Sequence, residues 1–499
     1  MKSLGCIIRS KNGTIITPYK KGQCRDLEYD TSLWDQVYHK MTELTGFFIT
    51  NFHSGRAFIT HGKSLSYLKS YFPNYDIVDL PQTPAMDVLP PFKLNDDITL
   101  REIQGDVVNK VIASPKNVHE WFINMQTSMG KTVAGVYLSA YFHRKTIIVC
   151  FKKDILSQWV NTYINKTTID PNRLLTLSDG KMLDAIRFNG GEWKKNRPNL
   201  IDDFDVYFVS PNMLTGYVSR NDYSDLTEIF NNLGIGLMIF DEAHHNMGAM
   251  VKINALTNVE STLYLSADFT QGNYKREEKF YRIFDSTMIL KPNAELEKSM
   301  KYTSLIVVDY NTHPSDKEVL EVTTKYGYNA QRYMGYQLKK GYLFNVLKHI
   351  MEMIRDAKKP EYKALFLVSN IAHADLIYEF LCEAVPDKKL RYGRYHSQMP
   401  EDEHNATREF ANVIISTYAS FGVGLDVENI KYVISLNQCN KVEDNQAAGR
   451  ARPLFDGSNA IYFMVTDVGF KYCRDKLKVR LAYLMETKSE SDKPTLYHL

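Results

Sequence analysis

Gln126-Thr127-Ser128-Met129-Gly130-Lys131-Thr132 is the stretch on which the fold turns. A loop that enters a helix through Gly-Lys-Thr aims its backbone N–H groups at phosphate oxygens, and the positive end of the helix adds to the attraction. Thr127, Ser128, Met129 and Gly130 would supply those groups. Lys131 brings a point charge for the β and γ phosphates of a nucleotide, and Thr132 a hydroxyl for Mg²⁺. The general pattern G-x-x-x-x-G-K-[ST] is met only in part, because Met125 stands where its first Gly belongs.

Further along, the apolar run Leu237-Met238-Ile239-Phe240 ends in Asp241-Glu242-Ala243-His244. A buried strand that ends in two carboxylates complements the loop. Asp241 is expected in the Mg²⁺ shell, and Glu242 beside the water that attacks the γ-phosphate. Either segment alone could be an ordinary turn; their order and spacing as a pair point to ATP hydrolysis.

The chain has 499 residues, 44% apolar and 24% charged, which is enough to build several cores. No apolar stretch reaches the ~18 residues that cross a bilayer, and no signal-peptide core opens the sequence. Six scattered cysteines without a C-x-x-C pair suggest neither a zinc site nor a disulfide framework. The expectation is therefore a reduced, cytoplasmic, monomeric protein without a membrane partner. Net charge is only +3, yet residues 1–25 carry Lys2, Arg9, Lys11, Lys20, Lys21 and Arg25 and no acid. That patch suits a phosphate backbone or, equally, a solvated edge.

Residues 1–80 alternate short β-rich runs with helical patterns over 33–44 and 64–71, as in a small α+β domain. Four prolines within 81–91 favour an extended linker and a domain boundary. From 92 to 300, strand patterns at 121–125, 146–151, 206–209, 237–240 and 262–265 alternate with helices, which predicts a parallel sheet covered on both faces. Ligands of such sheets gather at the carboxyl ends of the strands, where the phosphate loop, the acidic pair and Ser266-Ala267-Asp268 all fall.

The alternation resumes over 301–486, with strands at 305–308, 364–368, 390–395, 413–415, 432–436 and 460–464. This second α/β domain has no phosphate loop. Its distinctive segments are Ser416-Thr417-Tyr418, Gly422-Val423-Gly424-Leu425-Asp426 and Gln446-Ala447-Ala448-Gly449-Arg450-Ala451-Arg452. Arg450 and Arg452 are candidates for an arginine finger that acts across an inter-domain cleft on γ-phosphate charge. A basic helix over 470–485 is expected to dock on this domain, and 487–499 reads as a frayed tail.

The ordered set resembles the superfamily 2 helicases. Leu100-Arg101 with Gln104 resembles the adenine-side motif, 126–132 motif I, 149–159 motif Ia and Ser210-Pro211-Asn212 motif Ib. Asp241 to His244 resembles motif II, Ser266 to Asp268 motif III, Phe366 to Asn370 motif IV, Thr417 to Asp426 motif V and Gln446 to Arg452 motif VI. The resemblance covers 99–452 and implies two tandem RecA-like motor domains, with ATP at their interface and nucleic acid across both. It places Arg101, Gln104, Gly424 and Asp426 around the nucleotide, and Gln446 and His244 in the coupling of ATP state to the groove. Backbone contacts are expected from Lys152, Lys153, Ser210, Asn212, Asn370, His396 and Thr417. Within the superfamily, Ser416-Thr417-Tyr418, Phe421, Gly424, Leu425 and Gln446 look most like the phage recombination helicases of the UvsW kind, functional relatives of RecG.

Two departures from the family pattern stand out. Asp268 replaces the second hydroxyl residue of motif III, and Arg450 and Arg452 are spaced as in duplex-RNA-sensing helicases rather than as Gly-Arg-x-x-Arg. The segment 325–342 interleaves tyrosines with Lys and Arg; packing of a helical pair is favoured there over base stacking. The resulting expectation is an ATP- and Mg²⁺-dependent translocase on branched, forked or duplex DNA, with residues 1–80 as added DNA-binding surface. A duplex-RNA helicase and a non-processive nucleic-acid clamp are the alternatives. A packaging motor with a nuclease domain is disfavoured, since the C-terminal half lacks an acidic metal cluster.

Overall fold

The structure is a computed structural model. It describes residues 5–9, 13–17, 48–52, 55–61, 68–70, 72–126, 129–151, 153–194, 198–221, 223–267, 269, 289–299, 303–325, 327–354, 361–421, 427, 429–437, 441–451, 454, 458–489, 491 and 493–499. The chain forms two compact units, Met1–Asn293 and Ala294–Leu499.

The first unit begins with a mixed sheet of β1 (Gly5–Arg9), β2 (Gly13–Thr17), β3 (Phe48–Phe52), β4 (Gly55–His61) and β5 (Tyr75–Asp79), in the order β3-β4-β2-β1-β5. The helix expected over 33–44 lies outside the described residues. This sheet is not detached from the rest of the unit. Ile59 of β4 is fully buried in the same cluster as Met250, Val251 and Ile253, with Val78 and Leu80 packed against it. Burial of one such aliphatic side chain is worth about 1.5–3 kcal/mol.

The proline-rich segment is extended, as its composition predicts, but it is bound along its length. Thr83 N donates to Asn258 O (3.1 Å), Met86 N to Gly234 O (2.9 Å) and Val88 N to His143 O (3.0 Å), while Lys145 N donates back to Met86 O (2.8 Å). The Thr83 hydroxyl donates to Thr257 O. Prolines rule out a regular ladder, and isolated N–H groups between them still find carbonyls. The expected linker is thus a strap fixed to the ends of the larger sheet's strands, opposite the phosphate loop.

That larger sheet is wholly parallel. Its strands are β6 (Glu120–Asn124), β7 (Thr146–Cys150), β8 (Leu174–Thr176), β9 (Val206–Val209), β10 (Leu237–Asp241), β11 (Ser261–Ser266) and β12 (Ile289–Leu290), ordered β12-β6-β11-β10-β7-β9-β8. Every residue of β7, β9, β10 and β11 is buried, which explains the apolar centres of these strands. Phe122, Tyr264 and Phe240 are register neighbours on three adjacent strands and stack at 4.4 Å and 5.0 Å. The stack locks together the strands whose carboxyl ends carry Met125, Ser266 and Asp241.

The second unit is also a parallel sheet with helices. Its strands are β13 (Thr303–Tyr310), the small hairpin β14 (Thr323–Thr324) and β15 (Gly327–Tyr328), then β16 (Lys363–Val368), β17 (Tyr392–Tyr395), β18 (Val413–Thr417), β19 (Ile430–Ser435), β20 (Ala460–Asp467) and β21 (Thr495–His498). The order is β17-β18-β16-β19-β20-β13-β21. The last strand corrects the expected frayed tail: β21 pairs with β13 from Ile306↔Thr495 to Asp309↔His498. The edge carbonyls and N–H groups of β13 hold it, a constraint that local composition does not reveal.

The basic helix spans Lys471–Thr487 and buries Leu484, with Leu477 and Leu481 against the core. Its Arg480 is 1% exposed and bound to Asp444. The tyrosine-rich segment packs as expected: Tyr333 and Tyr336 form a cluster with Val322, Phe470 and Cys473, flanked by Tyr328 and Tyr342. Tyr326 lies outside the described residues.

Candidate active site

The phosphate loop ends at Gly130, which caps the helix Lys131–Phe142 in the left-handed region (φ 85°, ψ 38°). Two constraints demand glycine there. The backbone angle is costly for any residue with a Cβ, and a Cβ would lie 1.9 Å from Gln104 Nε2 and 2.7 Å from an Arg101 guanidinium nitrogen. Gln104 is buried, accepts from Arg101 N (2.8 Å) and donates to Gly130 O (3.2 Å). The two residues read as an adenine-side motif therefore also brace the loop. Met125 is fully buried, and its N–H donates to Ser266 O (3.0 Å). A core side chain stands in the place of the first Gly of the pattern. Thr127 and Ser128 lie outside the described residues.

Asp241 and Glu242 close the other side. Lys131 Nζ is 3.3 Å from Met125 O and 3.7 Å from Glu242 Oε1. Glu242 itself has φ 46° and ψ 46°, a left-handed conformation that costs a non-glycine residue energy and turns its side chain off the strand axis. Asp241 accepts from Glu242 N (2.8 Å) and from Trp159 Nε1 (2.7 Å). Burial, then the Glu242 charge, push the Asp241 carboxyl up to about 6, against the pull of Lys131 and the two donors. A carboxylate so placed is short of positive charge. His244 Nδ1 lies 3.3 Å from Glu242 Oε2 and 2.8 Å from Ser266 Oγ, which joins the acidic segment to the next strand end. Asp268 lies outside the described residues.

Asp241 and Thr132, the residue after Lys131 in its helix, offer hard oxygen donors, the type that Mg²⁺ takes alongside phosphate oxygens. Among the described residues no group of three or more His, Cys, Asp or Glu could hold a metal. A cation shared between one carboxylate, one hydroxyl and a nucleotide needs no such cage.

Sequence reasoning missed Trp159. It is fully buried in the helix Lys153–Lys166, and its ring edge lies where a Cβ on Gly135 would be 2.6 Å away. The signal was a glycine inside a helix pattern, which marks a close approach.

In the second unit, Arg450 follows the helix Lys441–Ala448 and is 8% exposed, with its N–H on Ala447 O (3.0 Å). Arg452, Gly424, Asp426 and the Gln446 side chain lie outside the described residues, as do Lys152 and the Lys153 side chain. Of the groove candidates, Asn212 is exposed. Ser210 and Asn370 cap helices, accepting from Met213 N (3.3 Å) and His373 N (2.9 Å). Two candidates are turned inward, contrary to expectation. Thr417 is 3% exposed and bonded to Ser420, and His396 is 5% exposed with Nε2 3.3 Å from Asp375. Each sits at a strand end; the Thr417 hydroxyl is satisfied by Ser420, while His396 Nδ1 is buried with no hydrogen-bond partner among the described residues.

Comparison with known proteins gives two family matches. Residues 97–271 match the family described as "Type III restriction enzyme, res subunit", and residues 344–452 the "Helicase conserved C-terminal domain". These two stretches are the paired helicase domains of superfamily 2. Such domains imply ATP-dependent unwinding of nucleic acid. No curated protein matches the helicase in sequence. Its fold is similar to "S. cerevisiae Dbp5 bound to RNA and ADP BeF3", with TM-score 0.52 and 12% identity, over 80% of this chain and 89% of that one. Two tandem RecA-like α/β domains are thereby established. Among the described residues, no helix is long and apolar enough to cross a membrane.

Proposed function

We propose that this helicase is an ATP- and Mg²⁺-dependent translocase with a DEAH-type motif II, acting on branched, forked or duplex DNA. The observation that carries the reading is the convergence of Lys131, Asp241 and Glu242 at the carboxyl end of the first unit's parallel sheet, with Lys131 Nζ 3.7 Å from Glu242 Oε1. When bound, Mg²⁺ neutralises charge on the β- and γ-phosphate oxygens. Thr132 and Asp241 would hold it, and Lys131 would turn from Met125 O and Glu242 to the phosphates. Glu242, released from that pair, accepts a proton from the attacking water. Arg450 or Arg452 stabilises transition-state charge.

Asn212, Ser210 and Asn370 are proposed backbone contacts, which grip phosphates without reading sequence. Residues 1–80 add a basic surface for junctions, in the manner of the UvsW-like recombination helicases of phages. Resident in the cytoplasm, the protein would serve recombination, replication or repair.

Duplex RNA is the second reading. It is favoured by the spacing of Arg450 and Arg452 and by the RNA bound to the structurally similar Dbp5. The test is ATPase stimulation at fixed salt by forked DNA, four-way junctions and duplex RNA. Stimulation by junctions above duplex RNA supports the DNA reading; the reverse order overturns it. A strand-displacement assay separates both from a clamp, which would hydrolyse ATP and displace nothing.

A further inference from the structure

The two oxygens of Asp241 are held by donors from different parts of the first unit. Glu242 N reaches Oδ1 at 2.8 Å, and the indole Nε1 of Trp159 reaches Oδ2 at 2.7 Å. The terminal torsion of an aspartate is soft, with no sharp preferred angle, so its rotation is set by what grips the oxygens. One grip is local and comes with the backbone. The other comes from a helix far away in sequence, and both partners are buried, Trp159 at 0% and Asp241 at 4% exposure.

The indole is itself fixed in place. Its six-membered ring fills the space above Gly135 of the phosphate-loop helix, where a Cβ would approach Cη2 to 2.6 Å. Tyr163, one turn on, supports it at 6.4 Å between ring centres. Trp159 therefore measures the distance between the helix that carries Lys131 and Thr132 and the strand that ends in Asp241. A phenylalanine could fill that space but could not donate the hydrogen bond.

We propose that Trp159 is a positioning residue for the cation that accompanies the nucleotide: its indole N–H fixes the Asp241 carboxylate so that the remaining lone pairs face the Thr132 side of the loop. This rests on the nucleotide reading given above. Groups that hydrogen-bond to metal-binding side chains orient them, and their loss weakens the metal rather than the fold.

The test is ADP binding to the full chain by calorimetry, with Mg²⁺ and with EDTA, which involves no turnover. The variants are Trp159→Phe and a protein with 3-benzothienylalanine at 159, which keeps the ring shape and replaces only the N–H by sulfur. In both, the gain in ADP affinity conferred by Mg²⁺ should fall about tenfold or more, while affinity in EDTA stays within about twofold of wild type. A full Mg²⁺ gain in the benzothienyl protein overturns the role of Trp159 and leaves the nucleotide reading intact. Equal losses with and without Mg²⁺ also overturn it, since they mark a packing role. Wild-type protein that gains nothing from Mg²⁺ would overturn the nucleotide reading, and the proposal with it.

Discussion

The guanidinium of Arg480 grips both carboxylate oxygens of Asp444, Nε on Oδ2 at 2.5 Å and Nη2 on Oδ1 at 2.8 Å, with neither side chain more than 1% exposed. The pair joins the long C-terminal helix to the short helix that leads into Arg450. Tyr462 donates to the same carboxylate (2.7 Å), and Arg480 also reaches Ser435 Oγ (2.8 Å) and Asn437 O (3.1 Å). Desolvating two charges is costly, and what offsets it here is a fork-to-fork geometry with every direction occupied.

Arg480→Met should therefore destabilise the second unit by about 3–5 kcal/mol, because it strands a buried carboxylate. Arg480→Met combined with Asp444→Leu should recover much of that loss. Urea unfolding of the single and double variants measures both. A mild single variant would mean that Asp444 finds other donors.

Lys131→Ala and Glu242→Gln should both stop hydrolysis while differing in binding. Loss of the ammonium weakens ATP binding itself; the amide keeps the shape of Glu242 and leaves ATP bound but unreacted. Equilibrium binding and single-turnover hydrolysis separate the two. A general base contributes about 10²–10⁴-fold, so Glu242→Gln turnover above about a tenth of wild type would exclude that role.

Arg450→Ala should lower kcat by about 10³ or more with little change in ATP affinity, as expected of a group that meets charge only in the transition state. Steady-state ATPase assays and nucleotide titration read the split. A fall in melting temperature without a kcat effect would instead make Arg450 structural, a reading to which its low exposure draws attention.

Burial holds the His373 imidazolium pKa below its usual value near 6.5, so the folded chain prefers the neutral ring. The unfolded chain then binds more protons in the window between the two values. Stability is complete above about pH 6.5 and is lost as pH falls through the folded-state value. His373→Gln, which does not titrate, should lose less stability than wild type between about pH 8 and pH 5. Parallel pH curves for the two proteins would show that the ring is solvated in the folded state.

Much of this architecture was legible because parallel strands are buried on both faces. Residues 147–150 and 237–240 are unbroken apolar runs, and the second ends directly in Asp241 of the site. What escaped were relations between distant residues. Arg480 sits among Lys476, Lys478 and Arg474 and looks solvated, since nothing nearby in sequence announces Asp444. Thr495–His498 has too few apolar positions to read as a strand; the free edge of β13 makes it one. The break at 81–91 was visible, but the seat of Ile59 against Met250 and Val251 was not, so deleting 1–80 would uncover core as well as remove basic surface.

Glu242 carries its carboxylate on a backbone that L-residues avoid, at a cost of about 1–3 kcal/mol. Glycine would relieve that tension and at the same time remove the group needed to activate water. Fitness and robustness therefore pull in opposite directions at this one residue. A selection for thermal tolerance alone would drift toward a tougher protein that no longer turns over, and only a selection that also demands hydrolysis would keep the strained turn.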